Sequence, residues 1–327
     1  MNPTEARFPH APAPAGHYES FYLKASHPSE PLAVWIRYTV QKRPGDEAKG
    51  SLWFTLFDGS AAAPRASKVT LPGPSVGEGD WIRMGQSRFG EGAASGSARS
   101  ERSEAAWELR FHGAEAPLLH LPHERMYETR LPRTKTCSPL PAGRFEGLLV
   151  VDGQELTLRN WPGVVGHNWG AEHAERWIWL HGLGFEEERD DSWLDVAIGR
   201  VRIGPLTTPW IASGAVSLRG RRFRLGGLGR RARVSEATER CDFALSGAGV
   251  KLRGAVSADL KDCVGWLYAD PDGSQHQVTN CSIADLKLAL EPAGLPSHEL
   301  HLAGGAAYEL GRRERDPRVE TQPFPDD

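Results

Sequence analysis

The chain has 327 residues, 39% hydrophobic and 25% charged, with a formal net charge of −3. A balance so close to neutral gives no global field to attract nucleic acid, and no run of 18 apolar residues is present to span a bilayer as a helix. The length suits two domains of ordinary size or one large β domain.

Residues 1–15 are rich in proline and alanine and lack the apolar core of a secretory signal; they read as a disordered leader. From His17 onward short apolar runs alternate with turn signals. Runs at 18–25, 32–41 and 51–57 have period two, with Val34, Ile36, Tyr38 and Val40 on one face of the second and Trp35, Arg37 and Thr39 on the other. Further strands are expected at 68–71, 81–85, 106–112 and 117–121. The Gly-, Ser- and Ala-rich stretch 90–104 reads as a flexible loop or a poorly encoded strand, and 103–109 also fits a short helix. Residues 144–151 and 154–160 flank Asp152-Gly153, a pair suited to a type I′ hairpin because both positions need positive φ.

Gly166-His167-Asn168-Trp169-Gly170 follows, then Arg176-Trp177-Ile178-Trp179-Leu180-His181-Gly182. The glycine-bracketed part reads as a turn seating His167 and Trp169. The second part reads as one strand (177–186) of a hairpin whose return is 192–203. Alternation puts Trp177, Trp179 and His181 on one face of the first strand and Trp193, Asp195 and Ala197 on one face of the return. A five-residue loop then brings His181 opposite Asp195. Burial among indoles should raise the carboxyl pKa, so Asp195 is the expected proton donor, with His167 or His181 orienting it or returning the proton. A structural core pair is the competing reading of the same residues.

The last third adds strands at 208–218, 221–225, 241–246, 251–257, 263–269, 275–283, 298–302 and 306–310, and 312–327 reads as a disordered tail. Many short strands with Gly- and Pro-rich turns indicate an all-β barrel or sandwich, in two units of unequal length. The expected divisions are 1–15, 16–187, 188–311 and 312–327. Arg219, Arg221, Arg222, Arg224, Arg230, Arg231 and Arg233 form a basic hairpin with one solvated face, and a sharper reading is contact with a membrane surface or a diphosphate. His167, His173 and His181 are spaced by six and eight, which suits no common metal motif, so no metal is expected. Cys137, Cys241, Cys263 and Cys281 lack a C-x-x-C pair and read as reduced core thiols of a cytoplasmic protein. No phosphate loop, dinucleotide fingerprint, nucleophile elbow or His-Glu-x-x-His is present.

The His-Asn-Trp core with the Trp-x-Trp that follows resembles the signature of the carotenoid 1,2-hydratase (hydroxyneurosporene synthase) superfamily, with tocopherol cyclases and lipocalin-like Diels–Alderases as distant relatives. Leu131-Pro132-Arg133-Thr134-Lys135 is similar to a Pro-x-Thr-Lys element upstream of it. The resemblance is strongest over 132–195. It implies two tandem lipocalin-like antiparallel β-barrels, or a barrel plus a half-barrel, with few short helices and an apolar cavity in or between them. It also implies proton-initiated hydration, cyclisation or isomerisation of a hydrophobic isoprenoid or polyene, without metal or organic cofactor. The sequence departs from the family's pattern at Gly166, where Asp is usual, and at Trp193 in place of the tyrosine of Tyr-x-Asp. Under this reading Asn168, Trp169, Trp177, Trp179 and Trp193 line the substrate site, the indole faces stabilising a cation. A non-catalytic carrier of a hydrophobic ligand, a cofactor-free pericyclase and an interaction module built on the arginine hairpin are the alternatives.

Overall fold

A computed structural model describes residues 1–12, 14, 16–187, 192–227 and 229–323. Twelve strands form the first sheet: β1 (His17–Ser26), β2 (Leu32–Lys42), β3 (Lys49–Asp58), β4 (Arg65–Pro72), β5 (Ser75–Gly77), β6 (Asp80–Met84), β7 (Ser87–Gly90), β8 (Ala93–Arg99), β9 (Glu104–His112), β10 (Leu118–Leu119), β11 (Thr134–Val151) and β12 (Gln154–Gly170). They run in the order β4-β3-β2-β1-β12-β11-β9-β8-β7-β6-β5, with β10 paired to β11, and curl into a half-barrel. The remaining strands are β13 (Arg176–Leu183), β14 (Trp193–Arg200), β15 (Arg202–Ile203), β16 (Leu206–Thr207), β17 (Ile211–Leu218), β18 (Arg221–Gly226), β19 (Arg233–Glu236), β20 (Arg240–Gly247), β21 (Val250–Ser257), β22 (Val264–Ala269), β23 (Gln275–Pro292) and β24 (His298–Arg312). Eight of them, in the order β18-β17-β14-β13-β24-β23-β21-β20, close into a barrel through a β18–β20 pairing; β19 and β22 flank it, and β15 and β16 form a separate small hairpin. Short 3-10 turns lie at Phe8–His10, Glu124–Tyr127 and Leu260–Asp262.

Period-two patterning explains the layering. Val34, Ile36, Tyr38 and Val40 fill the half-barrel with Phe21, Leu23, Phe54 and Phe89. The opposite face is not solvated: Trp35, Trp53 and Phe57 join the core of the second barrel, where Trp53 meets Trp266 edge to face at 5.1 Å. A strand buried on both faces loses its polar alternation, which is why all ten residues of β1 are buried. Asp152 and Gly153 take φ of 52° and 78°, as the type I′ hairpin requires.

Several expectations need correction. Residues 1–12 are not a loose leader: Ala6 and Phe8 are buried in the half-barrel core, and Glu19 accepts the backbone amides of Arg7 and Phe8 from within. The division between sheets falls at 171–175 rather than at 187, since β13 pairs with β14 and β24. The 90–104 stretch supplies β8, its small residues fitting under Trp107. The 312–323 segment is anchored by buried Val319, the Arg318–Glu239 pair at 3.0 Å and a bridge from Thr321 to Gly265. Residues 188–191 and 324–327, parts of the expected hairpin loop and tail, lie outside the described residues.

Gly166–Gly170 is not a turn either. It is the end of β12, paired with β1 on one side and β11 on the other. Its first glycine answers close approach: a Cβ at Gly166 would lie 2.0 Å from the Tyr22 ring.

Candidate functional site

The expected His181–Asp195 pairing is the register of the β13–β14 ladder. Ile178 and Leu180 point into the barrel core. Trp179, His181, Trp193 and Asp195 therefore occupy its outer face, buried against the half-barrel in a seam between the sheets. Asp195 is fully buried. Its Oδ1 accepts from Trp179 Nε1 at 3.1 Å, and its Oδ2 accepts from Ser138 Oγ at 2.5 Å. His120 Nε2 lies 3.5 Å from the same Oδ2 and 3.2 Å from Ser138 Oγ.

Hydrogen counting constrains this cluster. His120 Nδ1 faces the Ser213 carbonyl at 2.9 Å and must donate to it. The Ser138 hydroxyl has one hydrogen, and it goes to Asp195. Nε2 of His120 faces the same Asp195 oxygen and the Ser138 hydroxyl, so the three side chains form one connected cluster. Burial alone would raise the Asp195 pKa, as the sequence reading expected. The His120 charge and hydrogen bond, the His181 charge and the Ser138 hydroxyl outweigh burial, and the net shift is downward. Asp195 is therefore held as a carboxylate.

His181 is the complement. Its Nε2 donates to the Pro141 carbonyl at 3.0 Å, while Nδ1 is buried without a hydrogen-bond partner. Burial lowers its pKa to about 4, so the ring is neutral and Nδ1 presents a bare lone pair. Tyr22 crosses the seam to meet Trp179 edge to face at 5.2 Å. Arg222 and Arg224, half-buried and exposed on the polar face of β18, also clamp the segment that carries His120: Arg222 pairs with Glu115 at 2.5 Å, and Arg224 donates to the carbonyls of Leu119, His120 and Leu121 at 2.9–3.1 Å.

The other expected site residues go elsewhere. His167 and Trp169 face the half-barrel interior, where His167 donates through Nδ1 to Pro3 and meets Glu19 through Nε2, both at 2.8 Å. Glu19 also receives the amides of Arg7 and Phe8. Burial opposes its ionisation, but hydrogen bonds and charge from His167 and His17 bring it down to about 2. Asn168 alternates to the seam and accepts from Ser20 Oγ at 2.8 Å. Trp177 binds Glu309 at 2.8 Å and stacks near His173, which in turn pairs with Asp270 at 2.7 Å. The three histidines weighed as a metal set thus sit in three separate environments. Among the described residues no group of three His, Cys, Asp or Glu is placed to hold a metal ion.

Asp195, His181, Trp179 and Trp193 come together; His167, Asn168, Trp169 and Trp177 do not join them. The sequence reading missed His120, Ser138 and Glu19. The only available signal was a lone polar residue within an apolar run, as with His120 between Leu119 and Leu121. The seam cluster is closed, with Asp195, Ser138 and His181 wholly inaccessible. A cleft of about 450 Å³ opens elsewhere, between residues 2–10 and Val76, Asp80 and Trp81. A pocket of about 10 Å³, the size of one water, lies beside Arg37, Gln41 and His173.

No family model matches the chain. It is 27% identical over 303 residues to uncharacterised proteins from two strains of Mycobacterium tuberculosis, covering 84% of this chain and 82% of theirs. Its fold is similar to that of a protein assigned as AttH from Nitrosomonas europaea (TM-score 0.55, 11% identity, 96% of this chain and 99% of that one). It is also similar to kievitone hydratase from Nectria haematococca (TM-score 0.52, 10% identity, 95% and 91%). At these identities the likeness is one of fold.

Proposed function

We propose that the chain is a hydratase-type enzyme that adds water across a carbon–carbon double bond of a hydrophobic, isoprenoid-like substrate in the seam between the sheets. One observation carries this reading: Asp195, hydrogen-bonded to Ser138 and set beside His120, is the register partner of His181, whose Nδ1 has no hydrogen-bond partner, on a face that also bears Trp179 and Trp193. The shared fold with a kievitone hydratase is consistent with it but supplies no residue roles.

The chemistry follows from these groups. In this mechanism a proton delivered through the Asp195 carboxyl, with His120 beside it, goes to one alkene carbon, whose π electrons form the new C–H bond. The cation left on the other carbon is stabilised by the Trp179 and Trp193 faces and by the Asp195 carboxylate. A water aligned by His181 Nδ1 attacks it and gives its proton to that nitrogen. Transfer across the ladder from His181 back to Asp195 resets the site. The 115–121 segment closes over the cluster, so substrate enters when that segment lifts.

The test is incubation with a set of prenylated phenols and polyenes in ¹⁸O-labelled water, with mass spectrometry of the products. One labelled oxygen should enter the product, and Asp195→Asn should reduce the rate by roughly 10²–10⁴ while the fold is kept. Unchanged turnover in that variant would remove Asp195 as the acid. The cleft beside Trp81 supports a second reading, a carrier of a hydrophobic ligand; retained ligand with no labelled product in any incubation would favour it.

A further inference from the structure

Seven large apolar side chains are well exposed among the described residues, and three of them gather at one end of the second barrel. Ile203 and Leu206 are 57% and 73% exposed and are direct partners in the β15–β16 hairpin, so both project from one face beside the Gly204-Pro205 tip. Ile211 is 40% exposed and pairs with Gly199 at the base of the same connection. Thr208 and Val201 tie that base through two hydrogen bonds, so the apolar pair stands on a braced stalk.

The surroundings are basic. The Ala232 amide donates to the Trp210 carbonyl at 3.1 Å, which brings Arg230, Arg231 and Arg233 to this end. All three are exposed. Arg230 reaches the Gly247 carbonyl, whereas Arg231 and Arg233 have no ion pair among the described residues. Arg200 lies over the half-buried Trp210 ring at 6.0 Å. The acids nearby are already engaged: Glu175 by Arg202 at 2.8 Å, and Glu236 by Arg176 at 2.9 Å.

We propose that this end of the barrel docks on an anionic membrane surface, with Ile203 and Leu206 entering the headgroup boundary and Arg231 and Arg233 meeting lipid phosphates. An apolar tip with a cationic rim is the pattern an anionic bilayer complements, since burial of the tip and attraction of the rim act together. A second copy of the chain fits worse, because a symmetric contact would set the unpaired arginines against their own kind. Arg222 and Arg224, committed to the 115–121 segment, are no part of the rim.

The test is cosedimentation of the full chain with large unilamellar vesicles of phosphatidylcholine alone and of phosphatidylcholine with phosphatidylglycerol in equal parts. Wild type should sediment with the anionic vesicles only, less so as sodium chloride is raised. Arg231→Ser and Arg233→Ser should each weaken binding roughly fivefold, and Ile203→Ser with Leu206→Ser roughly tenfold or more. Leu148→Ser, an exposed position on the half-barrel, should bind as wild type. Equal binding to both vesicle types, no binding to either, or unaltered binding by the arginine and hairpin variants would each overturn the proposal.

Discussion

His181 is a neutral imidazole held in a place where charge is costly, and that has a consequence for stability. Its folded pKa is brought from 6.5 to about 4 by burial. Between those values the unfolded chain takes up a proton that the folded chain refuses, so stability falls as pH drops from 6.5 to about 4, by about 3 kcal/mol, and the loss is complete below that. Urea unfolding followed by tryptophan fluorescence should show this slope in wild type and a flatter one in His181→Asn. Glu19 acts in an adjoining window. Its pKa is lowered from 4.5 to about 2, so it stabilises the fold above 4.5 and that contribution is lost as pH falls through 2. At this scale the sequence was half legible. Local alternation and a short loop set His181 opposite Asp195. His120 and Ser138 could not be read that way, because Ser138 meets Asp195 across 57 positions of chain and no local pattern encodes that contact. The sign of the Asp195 shift was lost with them, since His120, whose charge and hydrogen bond lower it most, was not foreseen.

At the scale of elements, β12 divides one motif between two environments. His167 and Trp169 serve the half-barrel, while Gly166 and Asn168 serve the seam. Reading the motif as a turn failed because its glycines suggested flexibility, whereas Gly166 is needed for the ring of Tyr22. Gly166→Ala should therefore destabilise the protein by about 1–3 kcal/mol through overpacking. Tyr22→Ala in the same chain should recover part of the loss, and a double-mutant cycle in urea measures the coupling. The arginines of β18 make a second element-scale prediction. Arg224→Ala frees three carbonyls around His120, so turnover in the labelled-water assay should fall with Asp195 itself untouched, and limited proteolysis should cut 115–121 sooner than in wild type. The strand positions were largely legible from period two. The faces were not, because a strand packed on both sides shows the same apolar runs whichever sheet it serves.

At the scale of the whole molecule, the first sheet keeps its own core and also lends residues to the core of the second barrel. Trp35 and Trp53 leave the half-barrel to fill the second barrel's cluster beside Trp266 and Tyr268. Trp53→Ala, though sited in the first sheet, should cost about 3–5 kcal/mol and lower the unfolding midpoint of both sheets together in a single transition. Separate transitions in calorimetry would show that the sheets unfold independently. That the chain is all-β and built of two unequal units was plain from its turn signals; that first-sheet residues pack into the second barrel's core was not, because the residues joining the units read as ordinary strand faces. Among the described residues the barrel is shut between β18 and β20 by one residue pair, Leu225 with Gly247, whereas its other neighbours meet along ladders of several residues. A cylinder fastened by a single stitch breathes there first. The facing backbone amides of these two strands should exchange with deuterium well ahead of those in β13 and β24, giving the barrel interior an intermittent doorway.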